Sequence, residues 1–160
     1  MITYIIIGIT VLVSYLCFNN AELFRKLALI PYRTVKNNEW YRLITHGFVH
    51  ADMTHLLVNM FTFWSFGTYI EKVFGYLGFG TWGFLALYFG GMIFASIYDL
   101  VKHHNDPYYV SIGASGAVSA ILFSYILFDP WSKILLFAII PVPGIIFGVV
   151  YLAYCQYMAK

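Results

Sequence analysis

The sequence predicts an all-α fold, a polytopic bundle of membrane-spanning helices, and three observations carry that expectation. Of the 160 residues, 61% are hydrophobic and only 10% are charged, with a mean hydropathy of +0.77. Soluble domains carry about 25% charged residues. The apolar residues gather in runs near the roughly 20 residues that cross a bilayer. Aromatic residues make up 21% of the chain, which suits interfacial belts and bulky helix packing. The net charge of +2 is too small to point to nucleic acid.

Five segments qualify as spans. The first, 1–18, has no Lys or Arg before Arg25 and no small-residue cleavage site, so it reads as a retained helix and not a signal peptide. The second, 53–70, is interrupted by His55 and Asn59. A tight turn at Glu71-Lys72 leads to the third, 73–98, which is rich in glycine. The fourth is 112–128, closed by Asp129-Pro130. The fifth lies in 134–158 and is broken by Pro141-Val142-Pro143-Gly144. Proline suits the first position of a helix, so the span is expected from Pro143 to about Met158, with 134–140 running along or into the membrane. Gly144 and Gly148 form a GxxxG pair, either a close-packing face or simple tolerance of glycine in lipid.

The connections differ. Residues 19–52 hold five of the nine Lys and Arg together with Phe24, Leu27, Trp40, Tyr41 and Phe48. That mixture predicts a folded loop at the interface, with a short helix around 21–28. Residues 100–111 are polar and include His103, His104 and Pro107. Cys17 and Cys155 read as apolar fillers, because their spacing suits neither a disulfide nor a metal site.

A polar residue inside a membrane helix is expensive and marks function by default. His55 and Asn59 are four apart, on one helix face. Both can donate hydrogen bonds, to an oxyanion or across a helix pair. The stretch Ser111-Ile112-Gly113-Ala114-Ser115-Gly116-Ala117 sets a hydroxyl between two glycines at the start of an apolar run. Ser115 is then either a packing residue or a nucleophile at the buried start of a helix, whose free N–H groups favour a developing oxyanion. It does not fit the G-x-S-x-G elbow of soluble hydrolases. His46, His50 and His55 lack the H-E-x-x-H spacing of a metalloprotease. No metal is expected, and His46 and His50 are expected to tie down the loop by hydrogen bonds.

Trp40-Tyr41-Arg42, the approach from His50 to His55, His55-x-x-x-Asn59 and Gly113-Ala114-Ser115-Gly116 stand in the order and spacing of rhomboid intramembrane serine proteases. From about residue 38 to its end the chain resembles that family. The resemblance implies a six-helix fold of which five spanning helices are present, making 1–160 one rhomboid-like transmembrane domain. It implies Ser115 as nucleophile, and an oxyanion hole formed by His55, Asn59 and the Ser115 N–H. Trp40 and Arg42 would stabilise the first loop, and Gly113 and Gly116 would allow close packing around Ser115. Glu71 matches a position where the family often carries an acidic residue. The implied reaction is cleavage of transmembrane protein substrates in the bilayer by a Ser–His dyad, with no cofactor; no oligomeric state follows. The implied location is the cell (plasma) membrane, with the site facing the extracytoplasmic side. The positive-inside rule, applied to the basic first loop, argues the reverse orientation, although interface-bound cations can instead meet anionic headgroups.

The sequence departs from the family in one large respect. No histidine follows His104, and no sixth apolar run is present. The expectation is a fragment whose catalytic His lies beyond residue 160, inactive alone. His55, His103 and His104 are not the family's base. A smaller departure is Ser119, where the family often has an aromatic residue. The alternative is a rhomboid-like pseudoprotease that binds transmembrane helices without cleavage. A transporter would need paired intramembrane charges or two similar halves, and neither is visible.

Overall fold

The computed structural model describes residues 1–136 and 139–158, and the side chain of Cys155 lies outside the described residues. The order is α1 (Ile2–Phe18), α2 (Ala21–Leu27), α3 (Pro31–Lys36), α4 (Arg42–Thr45) continuing into a 3-10 turn over His46–Phe48, α5 (Met53–Tyr76), α6 (Gly80–His103), α7 (Ser115–Phe128), β1 (Lys133–Leu136), β2 (Ile140–Pro143) and α8 (Gly144–Met158). The chain divides into two compact units, Met1–Ile121 and Leu122–Lys160.

In the first unit α1 packs on α5, and α5 on α6. Helix α1 has the reverse polarity of a helix on a soluble protein. Its buried stripe is Thr3, Ile6, Thr10, Ser14 and Cys17, whereas Ile5, Ile9, Leu12 and Leu16 are exposed. Exposed aliphatic side chains around a polar stripe are stable only where the surroundings are apolar. The stripe is satisfied internally. Glu71 of α5 accepts from the Ile2 and Thr3 N–H groups at 2.7 and 3.1 Å and from Thr3 Oγ1 at 2.7 Å, a carboxylate on a helix N-terminus. Phe63 stacks on Phe84 and tilts against Tyr88, with centroids 6.2 and 4.8 Å apart, to fill the space between α5 and α6.

The turn between α5 and α6 lies at 77–79, not at Glu71-Lys72 as the charge pair suggested. Glu71 is engaged with α1, so the helix runs on. It ends where Gly78 adopts φ +81°, followed by Gly80 at φ +58°, a left-handed backbone that glycine enters without strain. Helices α6 and α7 approach closely through small residues. A Cβ on Gly91 would collide with that of Ala120, and one on Gly116 would lie 2.5 Å from that of Ala95.

The fold is mostly helical, as the all-α expectation has it, and the second unit adds one short antiparallel ribbon in which β1 and β2 set Lys133 opposite Pro143 and Leu136 opposite Ile140. Every strand of a two-stranded ribbon is an edge, so Pro141 and Pro143 forfeit no ladder bond to a third strand. Pro143 therefore ends β2, and α8 starts one residue later than expected. Gly144 and Gly148 do form a packing face, since a Cβ on either would meet Ile126 of α7 at 3.5 or 3.2 Å.

Helix lengths do not establish five spans. Among the described residues, Gly80–His103 alone is both long and apolar enough to cross a membrane by length and composition. Ile2–Phe18, Ser115–Phe128 and Gly144–Ala153 are shorter apolar helices.

Candidate active site

The site is framed by the first loop, and the frame begins with α2. Asn20 caps its start by accepting from the Leu23 N–H at 2.9 Å. A helix leaves its last four carbonyls without internal partners. Here side chains from 41–45 take them up in turn. Arg42 Nη1 donates to the carbonyls of Arg25 at 2.8 Å and Ala28 at 2.6 Å. The Tyr41 hydroxyl donates to Lys26 at 3.3 Å, and Thr45 Oγ1 to Leu27 at 2.8 Å. Arg42 is fully buried, with its charge met by Glu39 through Nε at 2.5 Å. Burial raises the Glu39 carboxyl, but the Arg42 bond and charge, with Asn37 and Arg33, bring it net below the usual range. Trp40 is half exposed and does not pack the loop from inside.

The residue after this capped end is paired. Leu29 and Ser111 form an isolated antiparallel bridge, N to O at 3.0 and 2.9 Å. Two residues on, the Gly113 N–H donates to the His46 carbonyl at 3.0 Å. The Ala114 N–H then donates to His50 Nε2 at 3.5 Å. Three contacts from one loop thus hold the backbone that enters α7 at Ser115.

The tautomer of His50 follows from its partners. Nε2 accepts from Ala114, so Nδ1 carries the proton and donates to Ser14 Oγ at 2.9 Å. The Ser14 hydroxyl in turn donates to the Phe48 carbonyl at 2.8 Å. Burial pushes the His50 pKa down to about 4, with His55 adding and Asp52 opposing. His46 Nε2 meets Ser96 Oγ at 3.0 Å, and Ser96 donates to the Met92 carbonyl at 2.9 Å. Burial likewise lowers His46 to about 4, against the Asp99 charge and the Leu43 carbonyl. Both histidines lie outside the spans and tie the loop down.

His55 sits in the first turn of α5, where Asp52 caps its N–H at 2.8 Å. Its ring lies edge-on to His50, centroids 4.9 Å apart. It also lies against Gly113, where a Cβ would come within 2.8 Å of Cε1 and 3.1 Å of Nε2. Gly113 has φ +105°, so space and backbone both call for glycine. Asn59 is buried, and its Nδ2 donates to the His55 carbonyl at 2.9 Å. One N–H of that amide is left over. Ser115 is exposed and not buried as expected, while Ala114 beside it is fully buried.

The structure therefore brings His55, Gly113 and the start of α7 together. It makes no hydrogen bond from Ser115 Oγ to His55 or Asn59 among the described residues. His103 is stacked on Tyr109, and His104 bonds the Val101 carbonyl. Among the described residues no three potential ligands converge on a metal. Sequence reading missed Leu29, Ser14 and Ser96 as positioning residues. The two serines are visible as hydroxyls in apolar runs, but their partners are 34 or more residues away.

These features define an apolar helical protein with polar residues buried along its helices, and with the His55 ring against Gly113 where the chain enters α7. Residues 37–160 match the Rhomboid domain family. The chain is 30% identical over 154 residues to RHOMBOID-like protein 12, mitochondrial, of Arabidopsis thaliana, covering 87% of this chain and 44% of that protein. It is 31% identical over 125 residues to Rhomboid protease GluP of Bacillus subtilis, covering 75% and 23%. It is 36% identical over 107 residues to Rhomboid protein 1, mitochondrial, of Saccharomyces cerevisiae, covering 64% and 29%. The chain belongs to the rhomboid family and spans less than half the length of these relatives. Family membership makes it an integral membrane protein. Mitochondrial and chloroplastic relatives remove the ground for naming the plasma membrane.

Proposed function

We propose that this chain carries the serine half of an intramembrane serine endopeptidase that cuts transmembrane protein substrates. The observation that carries the proposal is the His55 ring seated on Gly113, two residues before Ser115 at the first turn of α7. Ser115 Oγ attacks the scissile carbonyl, and the base removes its proton. The carbonyl oxygen becomes an oxyanion that accepts from the Ser115 N–H, from His55 and from the remaining Asn59 N–H; loss of one such donor costs about 2.7–4 kcal/mol in comparable sites. Collapse expels the amine, which takes a proton from the base, and water then releases the acyl group from Ser115. The base is a histidine supplied from outside residues 1–160, on a sixth helix. Five spans come from this chain. The 14 residues of α7 reach about 21 Å at 1.5 Å per residue, against a hydrocarbon core of about 30 Å. A helix this short supports placing Ser115 below the membrane surface, in a cavity open to water. That side is extracytoplasmic in this reading, although the charge of the first loop favours the opposite.

The test is cleavage of a model single-pass substrate by the full-length protein. Ser115→Ala is expected to abolish cleavage, and undiminished activity in that variant sinks the assignment. A pseudoprotease that binds transmembrane helices without cleavage is the second reading, and the family assignment accommodates it equally. It predicts no labelling of Ser115 by a fluorophosphonate and no cleavage, with substrate binding intact.

A further inference from the structure

Where α1 leaves its apolar run and the first loop begins, the surface opens into a cleft of about 390 Å³. Phe18, Ala21 and Phe24 line it with apolar surface, and the buried Cys17 and His50 border it. Arg25 is its one cation and is exposed. The Arg25 backbone is fixed by the bond from Arg42 Nη1 to its carbonyl, so its guanidinium is carried on a rigid element. Among the described residues Arg25, Lys26 and Lys36 have no ion-pair partner, and all three are exposed. Val35, Trp40 and Tyr41 in the same loop are also exposed, at 39%, 49% and 46%.

Unpaired cations do not lie in hydrocarbon, and a cluster of exposed large apolar side chains is not at rest in water. The layer that accepts both is the headgroup region, where aromatic residues settle and anionic lipids attract Lys and Arg. We infer that the cleft binds an anionic phospholipid, with the phosphate on Arg25 and the start of one acyl chain against Phe18 and Phe24. Lys26 and Lys36 supply long-range attraction to the same surface. The same arrangement gives a basic loop a reason to exist on either side of the membrane, independent of the proteolytic reading.

The test uses the full-length protein in detergent, titrated with phosphatidylglycerol, with phosphatidylcholine of matched acyl chains, and with inorganic phosphate, following bound lipid by native mass spectrometry. Phosphatidylglycerol is expected to bind at least threefold more tightly than phosphatidylcholine. Arg25→Gln should bring it to the phosphatidylcholine level, whereas Arg25→Lys should keep most of the preference. Ala21→Phe, which fills the cleft and leaves the charges, should weaken phosphatidylglycerol binding by a similar factor. Lys36→Gln, outside the cleft, should change it less than twofold. Equal binding of the two lipids overturns the inference. So does competition by inorganic phosphate at the lipid's own concentration, which marks a plain anion site. A loss in Lys36→Gln as large as in Arg25→Gln also overturns it, because the attraction is then diffuse charge and not the cleft.

Discussion

The two loops that meet at Leu29 and Ser111 are built differently. The first, 19–52, is held by buried polar residues: Arg42 and Thr34 bond within the loop, while His46 reaches Ser96 of α6 and His50 reaches Ser14 of α1. The second, 104–114, is a thin connection with Tyr108 90% exposed. It is tethered by the Tyr109 hydroxyl, which donates to Asp99 at 2.9 Å, and by His103 stacked flat on the Tyr109 ring at 3.6 Å. Burial, then the Asp99 bond and charge, push the Tyr109 hydroxyl up to about 12, so it stays a donor. The loop that leads into α7 at Ser115 has little order of its own and takes it from the loop that carries none of the proposed chemistry. Positioning and reaction are assigned to different segments.

The largest break in that contrast is expected from Arg42→Met. It uncaps α2 at two carbonyls and leaves Glu39 without its main cation. Loss of one partner of a buried pair costs about 3–5 kcal/mol, read by thermal or denaturant unfolding. Arg42→Lys should restore little, since an ammonium cannot reach Glu39 and two carbonyls at once. Next in size is acid. His46 and His50 have folded pKa values near 4, below the unfolded value near 6.5. The unfolded chain therefore binds more protons between those values. Stability is complete above about pH 6.5 and falls as pH drops towards 4, by up to about 3 kcal/mol for each residue. His50→Gln should remove about half of the slope in a pH series of unfolding midpoints, and an unchanged slope would contradict the buried neutral ring.

Gly113→Ala acts on the second loop directly. The positive φ and the His55 ring together cost about 1–3 kcal/mol, and under the proposed proteolytic reading the displaced His55 should lower kcat of the full-length protein with less effect on KM. Smallest is Tyr109→Phe, expected to cost about 1 kcal/mol by removing one hydrogen bond to Asp99. A cost from Tyr109→Phe equal to that of Arg42→Met would erase the distinction between the loops.

Local features were legible in the sequence. The apolar runs, the short helix near 21–28 and the shared face of His55 and Asn59 all follow from spacing within a turn or two. The helical register of Thr3, Thr10 and Ser14 was equally available. Features that depend on distant partners were not. Glu71 looked like a turn residue because its neighbour is Lys72, and its true partners are at the other end of the chain's first helix. The ribbon of 133–136 with 140–143 was hidden because an apolar run with prolines reads as a broken helix when nothing states which strand it pairs with. Arg42 was marked by resemblance, but its work as a cap for α2 appears only when the carbonyls of Arg25 and Ala28 come within its reach. The exposure of Ser115 beside a buried Ala114 depends on what packs around the helix start, and periodicity does not report that.

The Leu29–Ser111 bridge has a consequence for how the molecule assembles. Its two strands are one residue long, and roughly eighty residues separate them. Closing a loop of that size is entropically unfavourable before the intervening helices have packed, and contacts of such high sequence separation form late and slowly. The bridge is therefore expected to close only after α5 and α6, which lie between its two residues, have packed. An amide exchange measurement should find the Leu29 and Ser111 N–H groups opening together, as one cooperative unit and at lower free energy than the core of α5. A partly folded chain would display its helices and withhold its serine.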